Sequence, residues 1–108
     1  MSVVGLIEKE FGGKLIPYET IVTVGTTPAR IIENNPERAA VIIQNVGPYN
    51  AYISTKPQVS VGNGLLIFAN GGGITYYWKE DGYLAIVELY AVAPAETTLY
   101  IQELVISK

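Results

Sequence analysis

Apolar positions along the chain fall in short runs that are separated by turn signals. Clusters such as Asn34-Asn35-Pro36 and Gly71-Gly72-Gly73 recur at intervals that no long helix can hold. The runs between them are rich in Val, Ile, Tyr and Thr, which favour strands. They predict eight strands, over residues 15–24, 28–33, 38–46, 50–54, 64–69, 73–79, 83–92 and 97–106. Short strands at this spacing are typical of an antiparallel sandwich or barrel.

Three of the predicted strands have no clearly polar face. Strand 38–46 contains the unbroken apolar run 39–43, and strands 83–92 and 97–106 carry apolar side chains on both faces. An antiparallel strand in a sandwich normally turns one face to water and therefore alternates. The pattern thus predicts a second cover, either a neighbouring subunit or an overlying segment of chain. The alternative is that Ile and Tyr stand outside simply because they favour strands.

The length of 108 residues fits one domain, and no repeat or linker divides it. Residues 14–108 are expected to form a single antiparallel β-sandwich, jelly-roll-like, although the pattern alone does not separate jelly-roll from immunoglobulin-like strand orders. Residues 1–13 are expected to be an N-terminal arm or edge segment, and a short helix, an edge strand and a flexible arm all fit them.

The start of the chain is MSVVGLIEKEF. Its apolar patch is too short for the apolar region of a signal peptide, and no basic region precedes that patch. No run approaches the roughly 18 apolar residues of a membrane-spanning helix. We therefore expect synthesis in the cytoplasm and no membrane partner.

The composition is 49% hydrophobic and only 16% charged, whereas soluble domains carry about 25% charged residues. A small domain leaves roughly a third of its unfolded surface exposed. Part of the apolar surplus is therefore expected in a subunit interface, the alternative being a monomer with an apolar surface. The net charge is −3 and the seven basic residues are scattered, which disfavours nucleic-acid binding.

The chemistry available to the chain is narrow. It has no His, no Cys and a single Asp, Asp81, which excludes a Ser-His-Asp triad and a thiolate site. Glu80 and Asp81 are adjacent carboxylates, but they lie in KEDG, which predicts a hairpin turn. The glycines at 71–73 precede a predicted strand instead of the helix that a phosphate loop needs. No catalytic residue, metal ligand or cofactor is predicted, and we expect no enzyme.

Aromatic residues are the most suggestive local feature. Strand alternation places Tyr76 and Trp78 on one face, where core or interface burial is favoured over a platform that stacks on sugar rings. Tyr buries a ring while its hydroxyl stays bonded, which suits contact surfaces. The candidate interface residues are Val3, Val4, Leu6, Ile7, Phe11, Tyr49, Tyr76, Trp78, Tyr90 and Tyr100.

The order of several segments carries a resemblance. TVGTTPARII is followed by NPERAAVIIQNVG, AYIS, a glycine-rich stretch, DGYLAIVELYAVA and TTLYIQELVI. Over roughly residues 20–106 this series resembles small β-sandwich virion structural proteins of tailed bacteriophages and related viruses, of the capsid decoration or head-fibre type. Within it, an Asn35-Pro36 turn starts a central strand, and the Gln44 and Asn45 amides are placed to bond loop backbone at its end.

The resemblance implies a non-enzymatic capsid decoration or cement protein that binds the outer capsid lattice and stabilises it. Its partners would be the major capsid protein or another virion protein, and copies of itself, with a homotrimer favoured. Its location would be the virion. The alternative function is a carbohydrate- or receptor-binding module of a phage fibre or tail.

Overall fold

The computed structural model describes residues 9, 10 and 12 to 107, and in that part of the chain eight strands form two antiparallel sheets. A helix of one turn, α1, and a 3₁₀ helix follow the sixth strand. The strands are β1 (Lys14–Val24), β2 (Ala29–Ile32), β3 (Arg38–Asn45), β4 (Ala51–Ser54), β5 (Leu65–Ile67), β6 (Gly73–Tyr77), β7 (Leu89–Val92) and β8 (Thr97–Ser107), and the helices are α1 (Trp78–Asp81) and the 3₁₀ helix (Gly82–Ala85).

The strand order is that of a jelly roll. Sheet A has the order β1-β8-β3-β6, and sheet B has the order β2-β7-β4-β5. The first strand pairs with the last, the second with the seventh, the third with the sixth and the fourth with the fifth, all antiparallel. A long hairpin of such pairs, wrapped into two facing sheets, is the jelly-roll arrangement. The predicted fold class is confirmed, and the immunoglobulin-like order is excluded.

The core lies between the two sheets and is built by strand alternation. In β8, Leu99 and Ile101 are buried while the intervening Tyr100 is only half-buried. Val41 of the neighbouring strand β3 and Leu89 of β7, in the facing sheet, belong to the same core cluster, with no more than 1% of their surface exposed. The predicted parity of β8 is therefore correct, and its inward side chains pack against those of the facing sheet.

A β-bulge lies at the start of the apolar run 39–43. Arg38 lies opposite Val105 and Ala40 lies opposite Leu104, so that Ala39 is the extra residue. The bulge lets Arg38 point into the sandwich although Ala40, two residues later, lies on the opposite face of the sheet, where it too is buried. Arg38 is consequently almost fully buried, at 1% exposure.

The predicted strand 83–92 is wrong in its first half, and the hairpin turn predicted at KEDG is also wrong. KEDG instead covers the end of α1 and the start of the 3₁₀ helix, and Gly82 has a positive φ of 58° at their junction. Arg38 donates to the carbonyls of Ala85 and Val87 at 2.7 and 2.8 Å. Those carbonyls are therefore bonded to a side chain instead of to a neighbouring strand.

The N-terminal segment is described only in part. Lys9 and Glu10 have helical backbone, and the Glu10 carboxylate forms an ion pair with Lys79. The strand part of the chain begins at Lys14. Among the described residues, no helix has the length and apolar character needed to span a membrane. Five candidate interface residues lie outside the described residues: Val3, Val4, Leu6, Ile7 and Phe11.

Candidate protein-interaction surface

Charged residues are very unevenly distributed in this sandwich. Between Ala39 and Trp78, Lys56 is the only charged residue. This stretch forms strands β3 to β6, and those strands make the same lateral half of both sheets. We call residues 39–78 the uncharged half.

Exposed apolar side chains concentrate in the uncharged half. Phe68 is the extreme case in this region, with 63% of its surface exposed. Tyr83 and Leu84 are exposed just after it in sequence, whereas Tyr18 and Ile21 are exposed on β1, at the far edge of sheet A. A concentration of exposed apolar residues in one region marks an interaction site more often than single scattered residues do. The exposed large apolar residues of the uncharged half are Val46, Tyr49, Val61, Leu65, Leu66, Phe68 and Trp78.

The backbone around Phe68 is held in place by hydrogen bonds. Its carbonyl accepts from Gly72 N at 3.1 Å, and the next amide, Ala69 N, donates to Asn50 Oδ1 at 2.8 Å. Ile67, just before it, is buried in the core at 2% exposure. The outward position of the Phe68 ring therefore follows from a fixed turn at the end of the edge strand β5.

An apolar groove adjoins these exposed side chains, because Leu65 is one of them and also lines the groove. It has a volume of about 330 Å³ and lies where β4, β5 and β6 meet the 3₁₀ helix. Its apolar walls include Ile53, Leu65, Tyr76, Leu84 and Leu89. A groove of this character accepts an apolar side chain from a partner, and such insertions often dominate the binding energy of an interface.

A buried amide fixes the loops at this end of the sandwich. Asn45, with 0% exposure, donates from Nδ2 to the carbonyls of Tyr49 and Ile67 at 2.7 and 3.2 Å. Its Oδ1 accepts from Gly47 N at 3.1 Å and from Thr97 Oγ1 at 2.9 Å. The expected bonding of this amide to loop backbone is confirmed, and all its bonds lie within the chain.

The structure does not bring the candidate aromatic residues together. Tyr49 is exposed in the uncharged half, and Trp78 is 39% exposed at the start of α1. Tyr76 is a core side chain at 5% exposure, and it reaches the surface only as part of the wall of the apolar groove. The prediction that Tyr76 and Trp78 lie on one face of a strand is wrong, because β6 ends at Tyr77 and Trp78 is helical. Tyr90 and Tyr100 are half-buried, one in each sheet.

Two of these tyrosines are bonded to carboxylates of their own chain. The Tyr90 hydroxyl donates to Glu88, and this bond raises the pKa of Tyr90 above its usual value. A hydrogen bond with Glu19 raises the pKa of Tyr100 in the same way. Both hydroxyls therefore keep their protons to a higher pH than an unperturbed tyrosine does, and each is bonded to a carboxylate of its own chain.

Two backbone amides of the glycine-rich loop are already bonded within the chain and are therefore not available to a phosphate group. Gly71 N donates to Asn45 O at 2.6 Å, and Gly72 N donates to Phe68 O at 3.1 Å. Gln44 closes the same turn, because its Nε2 donates to Gly71 O at 3.3 Å. These bonds give the loop a structural role at the tip of the uncharged half.

The Asp81 carboxylate also has a structural partner. Asp81 Oδ2 accepts from Tyr77 N at 2.7 Å, which caps the last outward amide of the β6 edge. Within the described residues, no group of three His, Cys, Asp or Glu side chains is placed to hold a metal ion. The apolar groove and the exposed apolar side chains of the uncharged half are the main surface features of the described residues.

Protein-family models, curated proteins and solved structures give no match to this chain. The resemblance to virion proteins therefore stays a prediction. Sequence reasoning missed Val61, Leu65, Leu66 and Phe68, which form much of the exposed patch. The signal that could have found them is the near absence of charge between Ala39 and Trp78.

Proposed function

We propose that this is a non-enzymatic structural protein that binds another protein through its uncharged half. Following the resemblance, we propose further that this partner is the outer lattice of a viral capsid, which the protein decorates and stabilises. The observation that carries the proposal is the coincidence of the exposed apolar patch around Phe68 with a region whose one charged residue is Lys56.

The physical basis is a low desolvation penalty. Burying an unpaired charge is costly, and the centres of protein interfaces are depleted of charged residues. On the uncharged half, apart from Lys56, contact removes from water only apolar and neutral polar side chains. Each Å² of apolar surface buried there contributes about 25 cal/mol before the entropy of association is subtracted.

Binding of this kind stabilises a lattice by mass action. A protein that binds the assembled shell and not its separated subunits shifts the equilibrium toward the shell. An interface of standard size, about 800 Å² per partner, exceeds what one exposed ring supplies. The patch from Val61 to Phe68 and the apolar groove would therefore act together. The N-terminal segment 1–13 is proposed as a second contact, with a capsid subunit or a sister copy.

The test compares two substitutions that replace an exposed aromatic ring by a carboxylate. Phe68→Glu changes the uncharged half, and Tyr18→Glu is the matched control on β1, where 52% of the ring is exposed. Undecorated capsids, assembled from the major capsid protein encoded nearest to this gene, are sedimented with each variant. We expect F68E to bind at least about tenfold more weakly, equivalent to about 1.4 kcal/mol, and Y18E to bind like the wild type. Equal binding of both variants, or no binding of the wild type, contradicts the proposal.

The alternative function, a carbohydrate- or receptor-binding module, keeps one observation in its favour. Trp78 is partly exposed beside a second groove that Ile86 and Ile106 also line. However, the Lys79 ammonium lies 5.6 Å from the centre of the indole ring. With Tyr76 in the core, the expected pair of stacking rings is not present at the surface, and the alternative has less support than the apolar patch.

A further inference from the structure

We propose that two copies of this chain pair antiparallel through the open edge of β1, which joins their A sheets into one continuous sheet. The proposal concerns the side of the sandwich opposite to the uncharged half. It is independent of the proposed capsid partner, because it uses backbone groups that the uncharged half does not contain.

The edge of β1 is the longest open edge in the fold. β1 has 11 residues, and among the described strands it pairs only with β8. The other edge strands are short, with five residues in β6, four in β2 and three in β5. Natural sheets usually shorten, charge or cover their edges, because unpaired N–H and carbonyl groups template further pairing. An open edge of this length is therefore a candidate binding site for another strand.

Two hydrogen bonds establish which backbone groups of β1 face outward. Ile106 N donates to Glu37 O at 2.8 Å, and Val46 N donates to Thr98 O at 3.0 Å. The even-numbered residues of β8 therefore direct their backbone groups toward β3. In an antiparallel ladder the alternate residues face the other neighbour, so the odd-numbered residues of β8 bond β1.

The register then assigns the open groups. Ile101 of β8 lies opposite Thr20, so the even-numbered residues of β1 are bonded to β8. Glu19, Ile21 and Thr23 consequently present their N–H and carbonyl groups to the open side. Pro17 has the same parity, and a proline, which has no N–H to donate, is tolerated at such an outward position.

The side chains favour a register with its two-fold axis at Ile21. A two-fold axis at Ile21 places Glu19 opposite Thr23 of the second copy, and it leaves Pro17 beyond the paired residues. A shift that places Glu19 opposite itself brings like charges together, which is destabilising. Ile21 has 72% of its surface exposed. In the favoured register it contacts Ile21 of the second copy, and such β-branched cross-strand pairs stabilise sheets.

This geometry has a consequence for the copy number. Antiparallel pairing of two identical strands is a two-fold contact, in which the same surface is used on both copies. The proposal therefore predicts a dimer, or an assembly with an even number of chains, instead of the trimer that the resemblance implies.

The first experiment measures mass by sedimentation equilibrium over a range of protein concentrations. The wild type should approach twice the 11.7 kDa of one chain. Ile21→Pro removes an N–H that the fold itself does not use, so circular dichroism should still show a folded β protein. We expect its dimer to dissociate about tenfold to a hundredfold more readily, since one hydrogen bond per copy and the Ile21 contact are lost. Ile21→Thr, which keeps the N–H and the strand propensity, is the matched control and should lose less.

The second measurement needs no substitution. Amide hydrogen exchange of Glu19, Ile21 and Thr23 in the wild type should slow as protein concentration rises, whereas exchange at Thr20, bonded to β8, should not change. A wild type that stays monomeric, a trimeric mass, or a dimer unaffected by I21P overturns the proposal. Protection of these amides that is independent of concentration also overturns it, because a segment of the same chain would then occupy the edge.

Discussion

Arg38 Nη1 lies 2.8 Å from Glu103 Oε1, and the arginine side chain of this ion pair has no solvent exposure. Arg38 also donates to the carbonyls of Glu33, Ala85 and Val87 at 2.7 to 2.9 Å. One guanidinium thus joins β3, β8, the end of β2 and the segment after the 3₁₀ helix. Charge-assisted bonds of this kind are stronger than neutral ones, and their removal leaves buried acceptors without donors.

Replacing this side chain should strongly destabilise the fold. We expect Arg38→Met to lower the free energy of unfolding by about 3–5 kcal/mol, because it leaves Glu103 and three carbonyls unpaired. Urea denaturation followed by circular dichroism measures the change. Arg30→Met is the matched control, since the Arg30–Glu33 pair spans 3.5 Å and is exposed, and its effect should stay within about 0.5 kcal/mol. Similar values for both variants would show that Arg38 does not hold these segments together.

Gly47 should tolerate no side chain. A Cβ at this position would lie 2.1 Å from Thr97 Oγ1 and 2.4 Å from Thr98 N, one of them a backbone atom. We expect Gly47→Ala to destabilise the protein by about 1–3 kcal/mol or more, as overpacking does. Thermal unfolding compares it with Gly25→Ala, where nothing lies within 4 Å of the added carbon. An unchanged melting temperature for G47A would mean that the Asn45 end of the sandwich can shift at little cost.

Stability should fall in alkaline solution, partly through Tyr76. Burial, and to a smaller extent the nearby Asp81 carboxylate, raise the pKa of Tyr76 above 10.0. Because the folded state holds this proton more tightly, the contribution is fully present below pH 10 and is lost as pH rises through the folded pKa. Urea unfolding between about pH 9 and pH 11 should show a decline that is shallower in Tyr76→Phe. Identical slopes of stability against pH in the wild type and the variant would exclude a role for this hydroxyl. The raised pKa values of Tyr90 and Tyr100 act on stability in the same direction.

Trp78 offers a direct optical test of the alternative function. It is the only tryptophan of the chain, so that intrinsic fluorescence reports on this one ring. Because Lys79 stands over the indole and Tyr76 is buried, we expect no spectral shift during titration with glycans selected from an array. A saturable shift, together with loss of calorimetric binding in Trp78→Phe while the exposed Tyr49→Phe control binds normally, would favour the carbohydrate-binding module instead.

The eight strands could be predicted from sequence because their signals are local. Gly and Pro end strands, and runs of β-branched residues form them, within a few residues. The predicted strand 38–46, for example, begins at Arg38, as β3 does. The segment from Gly82 to Val87 could not be assigned in this way. Its carbonyls are bound by Arg38, 47 and 49 residues away in sequence, and a contact of that range leaves no trace in local periodicity.

The site was harder to predict than the fold. Strand parity assigned Tyr76 and Trp78 to one face, but the helix that begins at Trp78 ends the alternation. The exposure of Phe68 and its neighbours depends on which strands lie at the edges of the sheets. The pairing of strands is a property of the whole fold and cannot be read from any single segment. The surface that we propose for interaction follows more from the charge distribution along the chain than from the positions of the aromatic rings.

The pairing of β1 with β8 places Lys14 directly opposite Ser107. A chain that enters this sandwich at Lys14 therefore leaves it at the same pole, with both ends a strand spacing apart. A module with such adjoining ends can be spliced into a surface loop of a host protein by two short connectors, and a circular permutant can be closed across the same gap. Cargo peptides fused before β1 or after β8 would project side by side, in the same direction.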